Sequence, residues 1–360
     1  MNTMRSSSRA KSFPTEALRA IDAKLLAAGL VPRLRRKTSA APARFDRTDA
    51  EELTRPVSAP ARAANGVEWL PVPGWNLPWL CAGFSTRRGG QSRAYCADDA
   101  PGELNLGLTA DDQRESVLAN RRLLAEAVTG STETPLLSLR QFHSSLIVDA
   151  SATDATRAQP RKADGQMTAE PGLLLAIQTA DCIPVLVADR RRRIVAAFHA
   201  GWRGTVKRIV ENGVGRMRLL YGSRPEDLIA AIGPGVGACC YAVGEELLSE
   251  FESQFAYARQ LFHEVYSSEP IRIKYPLLFL TQRAPGHSSI DPSLHLDLIE
   301  ANRRQLLDAG LKPRAIKIVG GCTNCHTELF FSHRASHGRT GRMMAVIGIR
   351  QTQEKRPYSS

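Results

Sequence analysis

Residues 173–214, LLLAIQTADCIPVLVADRRRRIVAAFHAGWRGTVKRIVENGV, constrain the fold more than any other stretch of this chain. Three apolar runs, LLLAIQTA, IPVLVAD and IVAAFHA, are separated by short polar turns and followed by a helical pattern. None of the three alternates polar with apolar, so each reads as a strand covered on both faces. Asp181, Cys182 and His199 stand at the ends of these runs. Burying such groups unpaired is costly, and open sheets tend to place ligands at strand ends.

Further short runs read as strands: VEWLPV, WLCAGFST, LIAAIG, IKIVGG and MMAVIGI. Helical spacing predicts helices over Asp112 to Val128, Thr205 to Leu220, Val243 to Leu261 and Leu296 to Ala309. Several strand pairs are too close for a crossover helix, so the fold class expected is α/β with a mixed sheet, and no repeat is visible. At 360 residues the chain suits one sizeable core plus an appendage. Residues 37–65, rich in Ala, Pro, Arg and Asp, read as a linker. The expected organisation is a basic, flexible N-terminal extension over 1–65, a folded domain over 66–350 and a polar tail over 351–360. A short helix from Thr15 to Leu30, with Leu18, Ile21, Leu25 and Leu26 on one stripe, or a docking segment, falls in the extension.

The net charge of +12 invites a nucleic-acid reading, but 13 Lys/Arg against 6 Asp/Glu in residues 1–65 supply +7 of it, leaving +5 for the rest. No helix-turn-helix, zinc-finger or aromatic-basic pattern accompanies it, so no specific nucleic-acid partner is expected. No apolar run reaches the roughly 18 to 20 residues of a membrane span, and the opening lacks a secretory signal. Glu16 and Asp22 interrupt what would otherwise resemble a transit peptide. Seven scattered cysteines suit a reducing compartment, and the expected location is the cytoplasm.

Cys182 and His199 each have a bland reading, as a packed thiol and as a hydrogen-bonded core histidine. Together at strand ends, they can reach one metal ion. His143, in QFH, lies in or beside a strand. Gly201 to Thr205 form a glycine turn into a helix start, where Arg203 adds a cation for an anion site or is merely solvated. Trp202 is either core or a stacking surface. Asp164 and Gly165 read as a turn that also helps shape a pocket. Arg334, Arg339 and Arg342 lie in a basic loop that either meets phosphate or is a solvated hairpin. Cys322-Thr-Asn-Cys325-His326 matches a haem-attachment pattern, which the lack of an export signal argues against; no second C-x-x-C is present to complete a structural zinc site. Cys239-Cys240 reads as a vicinal pair lining a pocket. Asp181 is a candidate proton shuttle beside Cys182.

The motifs QFH (141–143), ADG (163–165), QTADCIPVLVAD (178–189), FHAGWRGT (198–205), AIGPGVGACCY (231–241) and CTNCHTELFFSHRASHGRTGR (322–342) together resemble the YfiH-like, laccase-domain family. The resemblance spans about residues 66–350. It implies a compact mixed-sheet α/β sandwich and a catalytic zinc held by His143, Cys182 and His199. It also implies cleavage of adenosine, inosine and S-methyl-5′-thioadenosine with phosphate, and deamination of adenosine. Arg203 and Arg342 would then hold phosphate. Ser144 stands where the family usually has glycine, and Asn324 and His326 also depart from its pattern.

Other readings use the same residues. The family's polyphenol-oxidase label predicts copper, but eight histidines without an H-x-H pair do not make a multicopper site, and copper is expected only as an alternative occupant of the zinc position. A metal-free cysteine hydrolase would use Cys182 with His143 or His199 as base. The resemblance also implies a link to peptidoglycan-precursor editing, which suits that branch. A non-enzymatic binding module is the remaining alternative.

Overall fold

The computed structural model describes residues 55, 57–96, 100–265 and 293–351. Its strands are β1 (Ala61–Arg62), β2 (Glu68–Pro71), β3 (Leu80–Ser85), β4 (Arg88–Ser92), β5 (Leu136–Ser138), β6 (Ile147–Asp149), β7 (Gly165–Thr168), β8 (Leu174–Thr179), β9 (Ile183–Asp189), β10 (Ile194–Ala200), β11 (Leu228–Ile232), β12 (Phe262–Val265), β13 (Ser293–Leu296), β14 (Ile316–Ile318) and β15 (Met343–Ile349). The α-helices are α1 (Arg114–Thr129), α2 (Ala152–Ala155), α3 (Trp202–Val206), α4 (Ile209–Tyr221), α5 (Glu245–Gln254) and α6 (Leu298–Asp308).

Two six-stranded mixed sheets result, ordered β1-β2-β3-β15-β8-β5 and β14-β11-β9-β10-β7-β6, with β12 and β13 forming a separate pair. The apolar runs are continuous because each central strand is covered on both faces. Leu175 and Ile177 of β8, and Ala345 and Ile347 of β15, meet Leu186 and Ala188 of β9 and Val195 and Ala197 of β10 in the core between the sheets. On the outer face of the second sheet, Val185, Val187, Ala196 and Phe198 pack with Val210 and Val214 of α4 and Ile299 of α6. On the outer face of the first, Leu174, Met344 and Val346 pack with Leu124 and Val128 of α1. This is an α/β sandwich of four layers, with side chains alternating at the period of two that a strand imposes.

Gln166 of β7 joins the two sheets through the core: its Nε2 donates to the carbonyls of Leu137 and Ala176, each at 2.9 Å. A buried amide is tolerable there because both hydrogens find acceptors.

All eight strands read from the sequence are present, but four other expectations change. Folded structure begins before Gly66: Arg55 pairs with Asp297 at 2.9 Å, and β1 pairs antiparallel with β2. Gly165 opens β7 rather than completing a turn. The helix expected over Thr205 to Leu220 is two helices, because Arg208 adopts a left-handed conformation (φ 56°). Gln305 Nε2 takes the Thr205 carbonyl at 2.8 Å, and the Arg208 guanidinium holds Glu211 and the Gln254 carbonyl. Val243 to Leu261 similarly ends its α-helix at Gln254 and closes with a 3-10 turn over Ala258–Leu261. The expected helix at Thr15 to Leu30 and the tail beyond residue 351 lie outside the described residues. Among those described, no helix is long and apolar enough to cross a membrane.

Candidate active site

Two segments pass from the first sheet to the second near one another. One leaves β5, carries His143 and enters β6; the other leaves β8 through Ala180-Asp181-Cys182 and enters β9. His199, near the end of β10, is the third member. A ligand atom from each of His143, Cys182 and His199 lies within 4.8 Å of the other two. Cys182 Sγ is 3.8 Å from His143 Nε2, and the imidazole centroids are 5.0 Å apart. His143 is exposed, Cys182 half-buried and His199 buried.

Asp164 organises this cluster. Its fully buried carboxylate accepts from the backbone N–H groups of Phe142, His143 and Ser144, from the Ser144 hydroxyl at 2.7 Å and from His199 Nδ1 at 2.9 Å. Three successive backbone donors converging on one anion hold His143 at φ 62°, a left-handed conformation that a non-glycine residue adopts only when its surroundings enforce it. Asp164 also fixes His199 with Nδ1 as the donor, which leaves Nε2 as the nitrogen available to a ligand.

Burial alone would raise the Asp164 pKa, but hydrogen bonds from His199 and Ser144 hold its carboxyl well below the usual carboxylate range. Burial likewise opposes ionisation of Cys182, yet His199 and His143 outweigh it and bring the thiol down to about 6. For His199, burial favours the neutral ring, whereas Cys182 and Asp164 raise its pKa to about 9. Without a metal, the site is therefore a thiolate beside an imidazolium at neutral pH.

Gly201 supplies the close approach. A Cβ there would lie 3.0 Å from Cys182 Sγ and 3.1 Å from His143 Cδ2. Two imidazoles and one thiolate, with a carboxylate behind one imidazole and a glycine leaving room beside the other two groups, make a donor set that can hold one metal ion and leave a further position open.

These residues form the floor of a cavity of about 800 Å³, whose walls include Gln141, Gln178, Tyr241, Arg140, Arg334 and Arg342. Gln141 and Gln178 clasp each other through two 2.8 Å hydrogen bonds between side chain and backbone. Burial raises the Tyr241 phenol to about 12, so it is a neutral hydroxyl at physiological pH. Arg342 faces the cavity with Nη1 bonded to the Thr340 and Gly341 carbonyls, at 2.9 and 3.0 Å.

Asp181 is in the cavity wall with φ 87°, and its carboxylate accepts from the Thr323 hydroxyl and the Arg334 backbone N–H, both at 2.7 Å. It ties the loop between β14 and β15 to the turn that carries Cys182. Arg203 departs from expectation. It is exposed, its guanidinium 4.2 Å over the Trp202 ring, and it is not among the residues lining the cavity. Its helix is only five residues long, and successive side chains diverge by about 100° around a helix, so its sequence position near His199 does not bring it inward. Tyr241 follows the Cys239-Cys240 pair read as lining a pocket and does line this one, whereas Arg140, His333 and His337 were not singled out from sequence as site residues. Their places in the wall depend on loops from separate strands.

Comparison with known proteins agrees with this architecture. The family model for the multi-copper polyphenol oxidoreductase laccase matches residues 81–350. Purine nucleoside phosphorylase YlmD of Geobacillus stearothermophilus is 34% identical over 293 residues, covering 79% of this chain and 95% of the relative. A purine nucleoside phosphorylase of Deinococcus radiodurans is 37% identical over 287 residues, covering 79% and 94%. The crystal structure of the hypothetical protein YfiH of Bacillus licheniformis matches with a TM-score of 0.65 at 30% identity, covering 81% of this chain and 97% of that one.

Proposed function

This chain belongs to the multi-copper polyphenol oxidoreductase laccase family, and on that premise we propose that it is a zinc-dependent purine nucleoside phosphorylase. Its substrates would be adenosine, inosine and S-methyl-5′-thioadenosine with phosphate, and it would also deaminate adenosine. The relatives named purine nucleoside phosphorylases support the general reaction. The observation that carries the reading is the convergence of His143, Cys182 and His199 on the floor of a cavity with three arginines in its walls.

In phosphorolysis a phosphate oxygen bonds to ribose C1′ as the C1′–N9 bond breaks, and the purine leaves with a proton. Arg342 and Arg140 supply positive charge for the phosphate, and an arginine fork suits its oxygens. Arg203 is replaced in this role because it lies outside the lining. Tyr241 offers a flat face and a protonated hydroxyl. Asp164 keeps His199 in one tautomer, and Asp181 positions the Arg334 loop. In deamination, water adds at C6 and ammonia leaves. Zinc in this donor set would polarise water and lower its pKa towards about 7.

A second reading rests on the Cys182 thiolate 3.8 Å from His143 Nε2, the nucleophile-and-base pairing of a cysteine hydrolase. Phosphate-dependent purine release from adenosine and inosine, followed with zinc-loaded and chelated protein, separates the two. Release that vanishes on chelation and returns with zinc supports the phosphorylase. Turnover of neither nucleoside refutes it and leaves the thiol chemistry, with cell-wall precursors as the substrates to try.

A further inference from the structure

Beside Tyr241, which packs against Cys239 and Cys322, lies a second cluster of soft ligands. The Sγ atoms of Cys239, Cys240, Cys322 and Cys325 all lie within 4.8 Å of one another. Cys325 Sγ is 3.5 Å from Cys239 Sγ and 3.4 Å from Cys240 Sγ, and all four cysteines are free. The sequence contains only one C-x-x-C, which argued against a structural metal site. The fold supplies the other half. Strands β11 and β14 are parallel neighbours, with Ala230 opposite Ile316 and Ile232 opposite Ile318, so the loops that follow them leave the same sheet edge side by side. Gly235 and Cys322 continue the pairing as an isolated bridge.

We propose that these four cysteines form a second metal centre, a structural tetrathiolate site for one zinc ion. A Zn–S bond of about 2.3 Å places tetrahedral sulfurs about 3.8 Å apart, close to the separations found, whereas an iron–sulfur cluster needs its thiolates spread around a larger core. The Gly237 N–H donates to Cys322 Sγ at 3.2 Å, stabilising a thiolate as metal-bound sulfur requires. Gly237 must also be small, since a Cβ there would lie 3.1 Å from Cys322 Cβ and 3.2 Å from Cys239 Sγ. Cys239 and Cys322 are buried, Cys240 is half-buried and Cys325 is exposed, so an ion has a route in. Binding exchanges thiol protons for the cation and releases those protons to solvent, with no change of oxidation state.

The centre would act as a staple. One loop carries Tyr241 immediately after Cys240. The other carries Thr323, bonded to Asp181, and leads to Arg334, whose guanidinium donates to the Ala242 carbonyl at 3.1 Å. Zinc here joins the two loops that build one wall of the cavity. The inference does not depend on the nucleoside reading.

The test is metal content and spectroscopy on the full chain carrying Cys182→Ala, which removes the thiolate of the first site. Purified under reducing conditions and supplied with zinc, this variant should hold one tightly bound zinc ion per chain. Cobalt substitution should give the intense visible bands and charge transfer of tetrahedral sulfur coordination. Adding Cys325→Ser, at the exposed position, should weaken binding at least tenfold and alter the cobalt spectrum, while circular dichroism verifies that the chain is folded. Folded Cys182→Ala protein that binds no zinc and leaves all four thiols freely titratable overturns the proposal. Bound iron in place of zinc, or a disulfide among the four under reducing conditions, overturns it equally.

Discussion

Asp164 Oδ1 accepts the Nδ1 hydrogen of His199 at 2.9 Å while also accepting the backbone N–H of His143, so one carboxylate positions two of the three side chains proposed to hold the metal. Asp164→Asn keeps the shape but turns an NH2 group towards the donors it once accepted. Partners of this kind typically contribute 10- to 100-fold to metal affinity. Zinc affinity, measured by chelator competition, should fall by about that factor. Unchanged affinity would mean that His143 and His199 hold their places without it.

Metal uptake should release protons in a pH-dependent number. Cys182 titrates at about 6 and His199 at about 9 in the metal-free site, and zinc needs the thiolate and the neutral imidazole. Between those values the thiol of this pair is already ionised and His199 must still lose its proton, so the pair releases one proton per zinc. Below about 6 Cys182 contributes a second, and above about 9 neither does. Affinity for the first site therefore weakens as pH falls, about tenfold per unit in the middle range and more steeply below it. Calorimetry in buffers of different ionisation enthalpy, with the release by Cys182→Ala protein subtracted, counts these protons at the first site; pH-independent release would contradict the coupling.

Gly201→Ala tests the close approach. The added methyl sits against Cys182 Sγ and His143 Cδ2, and those groups are the ones that must converge. We expect a several-fold loss of zinc affinity and of turnover with little change in Tm, because the backbone at Gly201 (φ −68°) is one that alanine adopts freely.

Arg342→Met keeps an apolar stem against Gly107 and removes the guanidinium. If Arg342 binds phosphate, KM for phosphate should rise by about 10-fold or more, the scale of one charged hydrogen bond, with a much smaller change in KM for nucleoside. Arg203→Ala should move neither. A phosphate KM that responds to Arg203 instead would return the anion site to the position read from sequence.

Gly213→Ala probes the scaffold. The new Cβ would meet the Phe198 ring at 2.2 Å in the core beneath His199. Overpacking of this kind costs about 1–3 kcal/mol, and denaturant unfolding should register it.

The central strands were legible because each is buried on both faces, so β8, β9, β10 and β15 stand out as unbroken apolar runs. Strand β7, in GQMT, was hidden because two of its four buried residues, Gln166 and Thr168, are polar. His143, Cys182 and His199 were legible through strand ends and motif resemblance, but Asp164 read as a turn residue that helps shape a pocket, not as the anchor of the cluster. What makes it central is its five donors, most of them some 20 residues away in the chain. The four-cysteine cluster was hidden for a related reason: 85 or 86 residues separate the bonded pairs, and only the parallel pairing of β11 with β14 removes that distance.

His143 and Cys182 lie on segments that step between the two sheets, whereas His199 belongs to one sheet alone. Their mutual distance is therefore a readout of sandwich thickness. Side chains such as Leu175, Ile177, Leu186 and Val195, which fill the core between the sheets, act as spacers for that trio of side chains. Within such a scaffold, enlarging or shrinking a spacer would reset the separation of the three side chains, and so their grip on an ion, while each of them stays the same. Divergence in metal preference among chains built this way would then be written in the interior filling between the sheets.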